Sequence, residues 1–494
     1  MFIKKLYKED SQQMCAFLHA VSDDFPVPLS SKVCISSYVD KLLMQGFTIG
    51  AYSEDGKLLG VAAGYANDQN LMTAYLSVIV TCENARGCGI SGALLDAFED
   101  EARLRGMCIV RLSTHHANAR AISFYKKAGY LLEEASSQSC ENLTFSKLLC
   151  GLSSERPNIL LTSVGRRAYL VDWFKDALVG TGEVHVVNSE SSTPAFAAAD
   201  HSEVCPLIYS EEYFPFLLDY VKEHHIGAIL SLFDIDIPVL ASHRADFVRS
   251  GCFPIVASPS AAEVCNDKLA TSRYLSAIGI SAVDAYSSAD SFLDAVSSGR
   301  AAFPAYVKPR WGMGSIGVLE AEDEFELRAA CSMVARKVAA SYLRFESSTD
   351  PDNVVIVQPA VEGTECGMDV MNGLDGLYRG CSVRRKVAMR AGETDVAETI
   401  VGDSRFDELA RSLSKALACP GNIDVDVFDT PEGLIVLEMN ARFGGGYPFS
   451  HMAGVNLPSA LVSWLRGQDE PEGFLECSHP GKFMKEIGLV RLEG

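Results

Sequence analysis

Residues 437–447 read LEMNARFGGGY, and they gather several groups able to do phosphate chemistry. Glu438 and Asn440 lie two residues apart behind the apolar run GLIVLEM, which has the character of a buried strand. Period two puts a carboxylate and a carboxamide on one strand face. Both are hard oxygen ligands of the kind Mg²⁺ takes. Arg442 follows two residues on, with a guanidinium suited to bidentate contact with phosphate oxygens. Gly444, Gly445 and Gly446 allow close backbone approach. Together these groups predict a nucleoside triphosphate with magnesium. Taken alone, they equally describe an edge strand with a solvated end and a loose turn.

Upstream residues favour the nucleotide. VKPRWGMGSIGV supplies a strand lysine, Lys308, before a glycine-rich loop from Gly312 to Gly317. A lysine and a lid of backbone N–H groups are what a polyphosphate needs. Lys268 follows SAAEVCND in a helix. NVVIVQPAVEGTECGMDV reads as strand, Pro-containing hinge and strand, the hinge offering backbone groups to an adenine and Glu365 an acid to ribose hydroxyls. RRKVAMRAGETD adds Arg385, Lys386 and Arg390, the first two read equally as a solvated charge run or as part of a site.

A second constellation lies near the N-terminus. The strand Tyr75–Val80 runs into a turn holding Arg86, Gly87, Gly89 and Ser91, then into an amphipathic helix with Leu94, Leu95, Phe98 and Ala102 at helical spacing. A glycine turn at a helix N-terminus makes an anion seat from free N–H groups. IVRLSTHH is a further strand, and ANARAISFYKKAGY a helix ending at Gly129. TIGAYSED and KLLGVAAGYAN flank a turn at Glu54, Asp55 and Gly56 and read as a hairpin. Glu83 is a base candidate or a solvated turn acid. His115 and His116 read as polar strand-end residues rather than metal ligands.

The chain has 494 residues, enough for two to four domains. A net charge of −21 argues against nucleic-acid and anionic-membrane surfaces but not against ATP, which needs only a few placed cations and a metal. No apolar run approaches a membrane span, and MFIKKLYKEDSQQ carries no apolar signal region. The 15 cysteines are odd in number, scattered and without a C-x-x-C pair, as expected of reduced thiols in a cytoplasmic protein. GLSSERP suits a linker. Beyond it, NILLTSVGRRAYLVDWFKDAL opens a parallel α/β unit whose lone glycine is no dinucleotide fingerprint. GEVHVVNSE and HIGAILSLFDIDIPVL supply its next two strands, with a helix between. Arg166, Arg167, Asp234 and Asp236 fall at strand C-terminal ends, where open α/β sheets bind ligands.

Two resemblances follow. Val80–Ser91 (V-x-x-x-x-x-R-G-x-G-I-S) and Asn118–Tyr130 (N-x-x-A-x-x-F-Y-x-x-x-G-Y) resemble the GNAT N-acetyltransferase superfamily over about the first 145 residues. The resemblance implies an acetyl-CoA site with the pyrophosphate on Arg86, Gly87, Gly89 and Ser91, Asn118 lining the cofactor, and Tyr125 protonating the leaving thiolate. Asn84 stands where that family usually has Gln or Arg. The last 340 or so residues resemble the ATP-grasp superfamily, nearest its carbamoyl-phosphate-synthetase-like, carboxylate–amine ligase branch. The carrying motifs are NDK at Lys268, VKP at Lys308, EGTE at Glu365, RAGET at Arg390 and LEMNARFGGG at Glu438. This implies that ATP is held by Lys268, Lys308, Gly312, Gly314, Ser315, Gln358 and Glu365. It implies two Mg²⁺ on Glu438, Asn440 and an upstream acid, Asp424 or Asp426, with Asp424 favoured by its spacing. Arg390, Arg442 and Lys308 would stabilise the transferring phosphoryl group.

The expected fold class is mixed α/β and α+β. A GNAT fold at 1–150 and a linker at 151–156 precede a Rossmann-like pre-ATP-grasp domain at 157–255 and ATP-grasp domains at 256–494. The expected function is a bifunctional enzyme acting on small carboxylates and amines, without nucleic-acid or membrane partners and with a homo-oligomer allowed. The alternatives are a regulatory acyl-CoA-binding N-terminal domain and an ATP-grasp small-molecule kinase.

Overall fold

The computed structural model describes residues 1–133, 141–312, 317–390, 392–486 and 488–491. The chain divides into two units, Met1–Gly151 with Ala245–Phe253, and Leu152–Arg244 with Pro254–Gly494.

The first unit is a seven-stranded sheet in the order β1-β2-β3-β4-β5-β7-β6. The strands are β1 (Phe2–Leu6), β2 (Phe47–Tyr52), β3 (Leu58–Asp68), β4 (Thr73–Thr81), β5 (Ile109–His115), β6 (Leu131–Leu132) and β7 (Asn142–Leu148). The predicted hairpin is β2–β3. Among the described residues of this sheet only β4 and β5 run parallel, and their pairing stops at Leu76 and Leu112 although both strands continue. Helices cover both faces. Ile90–Leu104 and Ala119–Lys127 bury Leu94, Leu95, Phe98 and Tyr125 in one core. Ser11–Ala20 and Ile35–Gln45 bury Met14, Leu18, Val39 and Leu42 in the other. Sheets carrying helices on both faces are apolar on both, which is why β2 is buried at every position.

The second unit opens with a five-stranded sheet in the order β10-β9-β8-β11-β12. Its strands are β8 (Asn158–Thr162), β9 (Val184–Asn188), β10 (His201–Val204), β11 (Ile226–Ser231) and β12 (Phe253–Pro254), and β8 to β11 pair in parallel. Sequence reading misses β10, whose four residues HSEV are all exposed and lack the apolar pattern of a strand. A three-stranded antiparallel sheet follows, β14-β13-β15, made of β13 (Ala305–Pro309), β14 (Leu319–Ala321) and β15 (Val355–Pro359). Last comes a six-stranded antiparallel sheet in the order β20-β19-β16-β17-β18-β21. Its strands are β16 (Thr364–Asn372), β17 (Tyr378–Arg390), β18 (Glu393–Ile400), β19 (Gly421–Thr430), β20 (Gly433–Asn440) and β21 (Lys482–Met484). The helix Ser404–Leu417 buries Phe406, Ala410 and Leu413.

Lys268 departs from expectation in its local setting. The helix Pro259–Asn266 stops before it, and Lys268 opens a new helix, Lys268–Ala277. Asp267 is the reason: its carboxylate caps that helix, accepting from the Leu269 and Ala270 N–H groups.

Candidate functional site

One face of the six-stranded sheet concentrates charge. Strand alternation puts Glu365 and Asp369 of β16, Arg384 and Lys386 of β17, Asp424 and Asp426 of β19, and Glu438 and Asn440 of β20 on the same side. The register sets Asp426 opposite Glu438 and Asp424 opposite Asn440. The β19–β20 ladder slips between Asp426 and Val427: Asp426 pairs with Glu438 and Val427 with Val436, which leaves Leu437 as an extra residue. Lys386 Nζ lies 2.7 Å from both Glu365 Oε1 and Asp426 Oδ1. Burial works against its charge, yet these two acids raise its pKa. Burial lifts the Asp426 carboxyl to about 6 against the pull of Lys386. Burial acts likewise on Glu438, but Lys268, Lys308, Lys386 and Arg442 hold that carboxyl below its ordinary value.

The other two lysines come from outside this sheet. Lys308, on β13, is buried, and burial lowers its ammonium to about 8 in spite of Glu438. Lys268, Asp426 and Glu365 also act on it. Lys268 Nζ lies 3.7 Å from Glu438 Oε2 and donates to the Gly312 carbonyl. Lys268, Lys308 and Lys386 thus surround Glu365, Asp426 and Glu438, an arrangement able to take a polyphosphate on its cations and a divalent ion on its carboxylates.

Beside this cluster runs a buried chain of ion pairs. Arg442 donates to Asp424 Oδ2 at 2.9 Å and to Asp234 Oδ2 at 2.7 Å. Arg384 donates to Asp369 Oδ2 at 2.5 Å and to Asp424 Oδ1 at 3.4 Å. Asp369 also accepts from Ser450 and Asn422. This chain explains two of the three glycines. A Cβ on Gly444 would lie 2.1 Å from the Asp424 carboxyl, and one on Gly446 2.1 Å from the Arg384 guanidinium. Gly445 has no such neighbour closer than 4.0 Å. Arg167, predicted at a strand end, donates to the Leu232 and Phe443 carbonyls at 2.7 and 3.0 Å.

The structure therefore brings together Lys268, Lys308, Gly312, Glu365, Asp424, Glu438, Asn440 and Arg442 of the residues predicted for ATP and metal. Gln358 is buried on β15 and donates to the Val283 carbonyl at 3.5 Å. Gly314 and Ser315 lie outside the described residues. Two of the predicted residues stand in other settings. Asp424 has both oxygens engaged by guanidinium groups, while Asp426 is the acid standing directly opposite Glu438. Arg390 is exposed at the far end of β17 and pairs with Asp395, outside the cluster. Of the open pair, Lys386 belongs to the cluster, whereas Arg385 faces the other way and stands 3.9 Å from Glu398. Arg384 and Asp369 are absent from the sequence reading. Period two counted back from Lys386 and forward from Glu365 would have reached both.

In the first unit the glycine turn is as expected. Gly87 and Gly89 have φ of 81° and 78°, and Gly89 precedes the helix Ile90–Leu104, which contains Ser91 and has no side-chain cap. A Cβ at either glycine would meet nothing within 4 Å, so the turn backbone faces open space. A cavity of about 400 Å³ beside it is lined by residues including Lys57, Glu83, Asn84, Cys88 and Ile90. Arg86 is ion-paired with Asp24. Asn118 caps the helix Ala119–Lys127, its carboxamide oxygen accepting from the Ala121 N–H at 3.2 Å. Tyr125 is buried, and burial raises its phenol well above the ordinary value. His115 and His116 stack at 4.5 Å, and the His115 Nδ1 accepts from the Ala117 N–H.

Comparison with known proteins agrees with this architecture. Residues 16–130 match the model of the Acetyltransferase (GNAT) family. Residues 159–255 match the PylC-like N-terminal domain, and residues 352–480 match ATP-grasp in the biosynthetic pathway with Ter operon. The chain thus joins a GNAT domain to an ATP-grasp fold with a Rossmann-like domain before it. Among curated relatives, the D-alanine–D-alanine ligase of Mycobacterium avium is 32% identical over 191 residues, 34% of this chain and 48% of the relative. The vancomycin/teicoplanin A-type resistance protein VanA of Enterococcus faecium is 27% identical over 182 residues, 32% and 49% of the two chains. The chain spans about half the length of these relatives. N5-carboxyaminoimidazole synthetase from Staphylococcus aureus, solved with ADP, shares the fold at a TM-score of 0.51 and 15% identity, covering 67% of this chain and 82% of that one. The biotin carboxylase domain of the Hydrogenobacter thermophilus 2-oxoglutarate carboxylase, solved with MgADP and bicarbonate, has the same TM-score and identity, covering 64% and 71%. Among the described residues, no helix is long and apolar enough to cross a membrane.

Proposed function

We propose that the chain is a bifunctional enzyme, an ATP- and Mg²⁺-dependent carboxylate–amine ligase joined to an acetyl-CoA-dependent N-acetyltransferase. The ligase reading is carried by the convergence of Lys268, Lys308 and Lys386 on the facing acids Asp426 and Glu438. The donor set fits the ions: Asp426, Glu438 and Asn440 offer hard oxygens on one face. Magnesium, when bound there, supplies charge neutralisation for the phosphates. Lys268 and Lys308 hold the phosphate tail and Glu365 the ribose, with Arg442 fixed for the phosphoryl group by Asp234 and Asp424. A substrate carboxylate attacks the γ-phosphorus, giving an acyl phosphate and ADP, and an amine then displaces phosphate to form an amide. Incubation with ATP, Mg²⁺ and pooled carboxylates and amines tests this. ADP and phosphate are the expected products, and AMP with pyrophosphate would overturn the acyl-phosphate route.

A second reading has its own support. Arg86 and Asn118, two of the predicted acetyl-CoA contacts, are already engaged by Asp24 and by the helix N-terminus. On that reading the first unit binds acyl-CoA without transferring it. Thiol release from acetyl-CoA over a panel of amines separates the two: release requires the transferase, and binding without release the sensor.

A further inference from the structure

Away from the nucleotide cluster, a buried imidazole lies beside a second histidine and an acid. His185, on β9, is 2% exposed, and its Nε2 is buried without a hydrogen-bond partner. Its other nitrogen, Nδ1, lies 3.0 Å from the Tyr220 hydroxyl, which fixes the ring. Leaving such a nitrogen unmet is unfavourable, since it has given up water and gained no partner. The β9–β10 register puts His201 directly beside His185, and Glu183 leads into β9. Glu183 Oε2 lies 3.1 Å from His201 Nε2 and 3.9 Å from His185 Nε2. One ligand atom from each residue falls within 4.8 Å of the others.

The geometry points to a site for one borderline divalent cation of the Zn²⁺ class, held by Glu183, His185 and His201. Two imidazole nitrogens and a carboxylate are a donor set zinc accepts, with a fourth position left to solvent. Tyr220 plays the part of the outer hydrogen-bond partner that orients a metal-bound imidazole. The rings of His185 and His201 stack with centroids 4.7 Å apart and 26° between planes. Closing on an ion therefore requires His201 to turn its edge inward. His201 and Glu183 are half exposed, at 52% and 53%, and have the room to turn.

The location argues for a clasp rather than a reaction centre. These residues lie where β9 and β10 begin, whereas Arg167 and Asp234 follow the C-terminal ends of β8 and β11. β10 is the sheet's edge strand and is exposed throughout, the kind of element that peels easily. A cation shared by β9 and β10 pins that edge to its neighbour.

The test uses the full chain, stripped with EDTA and dialysed, then titrated with Zn²⁺ against a chromophoric chelator. We expect one equivalent bound and a rise in the unfolding temperature. His201→Ala and Glu183→Gln, both at exposed side chains, should each weaken that equivalent by at least about tenfold, while ADP formation stays at the unmodified rate. Loss of the equivalent in His201→Ala together with a circular-dichroism spectrum like the parent's supports the clasp. Retention of the equivalent in the double variant overturns it, as does failure of the unmodified chain to bind.

Discussion

Asp426 and Glu438 face each other across the β19–β20 ladder, with Lys386 bonded to the first and Lys268 3.7 Å from the second. The two acids differ in their settings from Asp424, which is locked between Arg442 and Arg384. Asp426→Asn is therefore expected to weaken the Mg²⁺ dependence of ADP formation by more than the roughly 10–100-fold typical of outer-shell changes. Asp424→Asn should act differently, on the fold. It leaves two buried guanidinium groups short of a partner, a loss of about 3–5 kcal/mol for a buried pair. Magnesium titrations of ADP release and urea unfolding of both variants check the contrast.

How much of this was legible beforehand varied with distance along the chain. The acid–amide–arginine run and the lysine before the glycine loop are local patterns, and the fold places them together as read. The choice between Asp424 and Asp426 turned on cross-strand register, which no spacing within one strand reveals. Arg384 was hidden inside a run of three cations, where only the phase of β17 separates it from Arg385. Arg390 shared a motif with the site yet follows the hairpin outward to Asp395.

The glycine turn offers a stability test. Gly444→Ala places a methyl 2.1 Å from the Asp424 carboxyl, and Gly446→Ala one at the same distance from Arg384. Each should cost about 1–3 kcal/mol by overpacking, seen as a lower denaturation midpoint at an unchanged slope. Gly445→Ala, with no neighbour nearer than 4.0 Å, is expected to be milder.

Lys308 predicts proton uptake on nucleotide binding. Burial lowers its ammonium to about 8, so at pH 8 it is half neutral, and a triphosphate beside it favours the charged form. Binding at that pH should take up on the order of half a proton, and affinity should fall as pH rises above 8. Calorimetry in two buffers of different ionisation enthalpy measures this, and Lys308→Arg should abolish the difference.

Tyr125 is buried with a raised phenol, so it remains protonated at neutral pH and able to donate. In Tyr125→Phe we expect acetyl transfer to slow by about 100-fold, the lower range for a lost general acid, with the KM for acetyl-CoA little changed. ADP formation should be untouched. Steady-state rates of the two half-activities decide it.

Cys34 offers a simple chemical check. It is exposed, and the Ser36 hydroxyl followed by the Ser37 N–H lowers its thiol to about 7. Its alkylation by iodoacetamide should reach half its maximal rate near pH 7, read peptide by peptide in a mass spectrometer.

The extra residue at Leu437 matters beyond its own place. Val436 and Met439 are three positions apart, yet they pair with Val427 and Val425 on the same apolar side. Without that slip, the valine's side of β20 would also be the side of Glu438, and either grease would stand among the acids or the acid would be driven into the grease. β20 is thus written in two phases, the first obeying the core and the second obeying the place where oxygens must point.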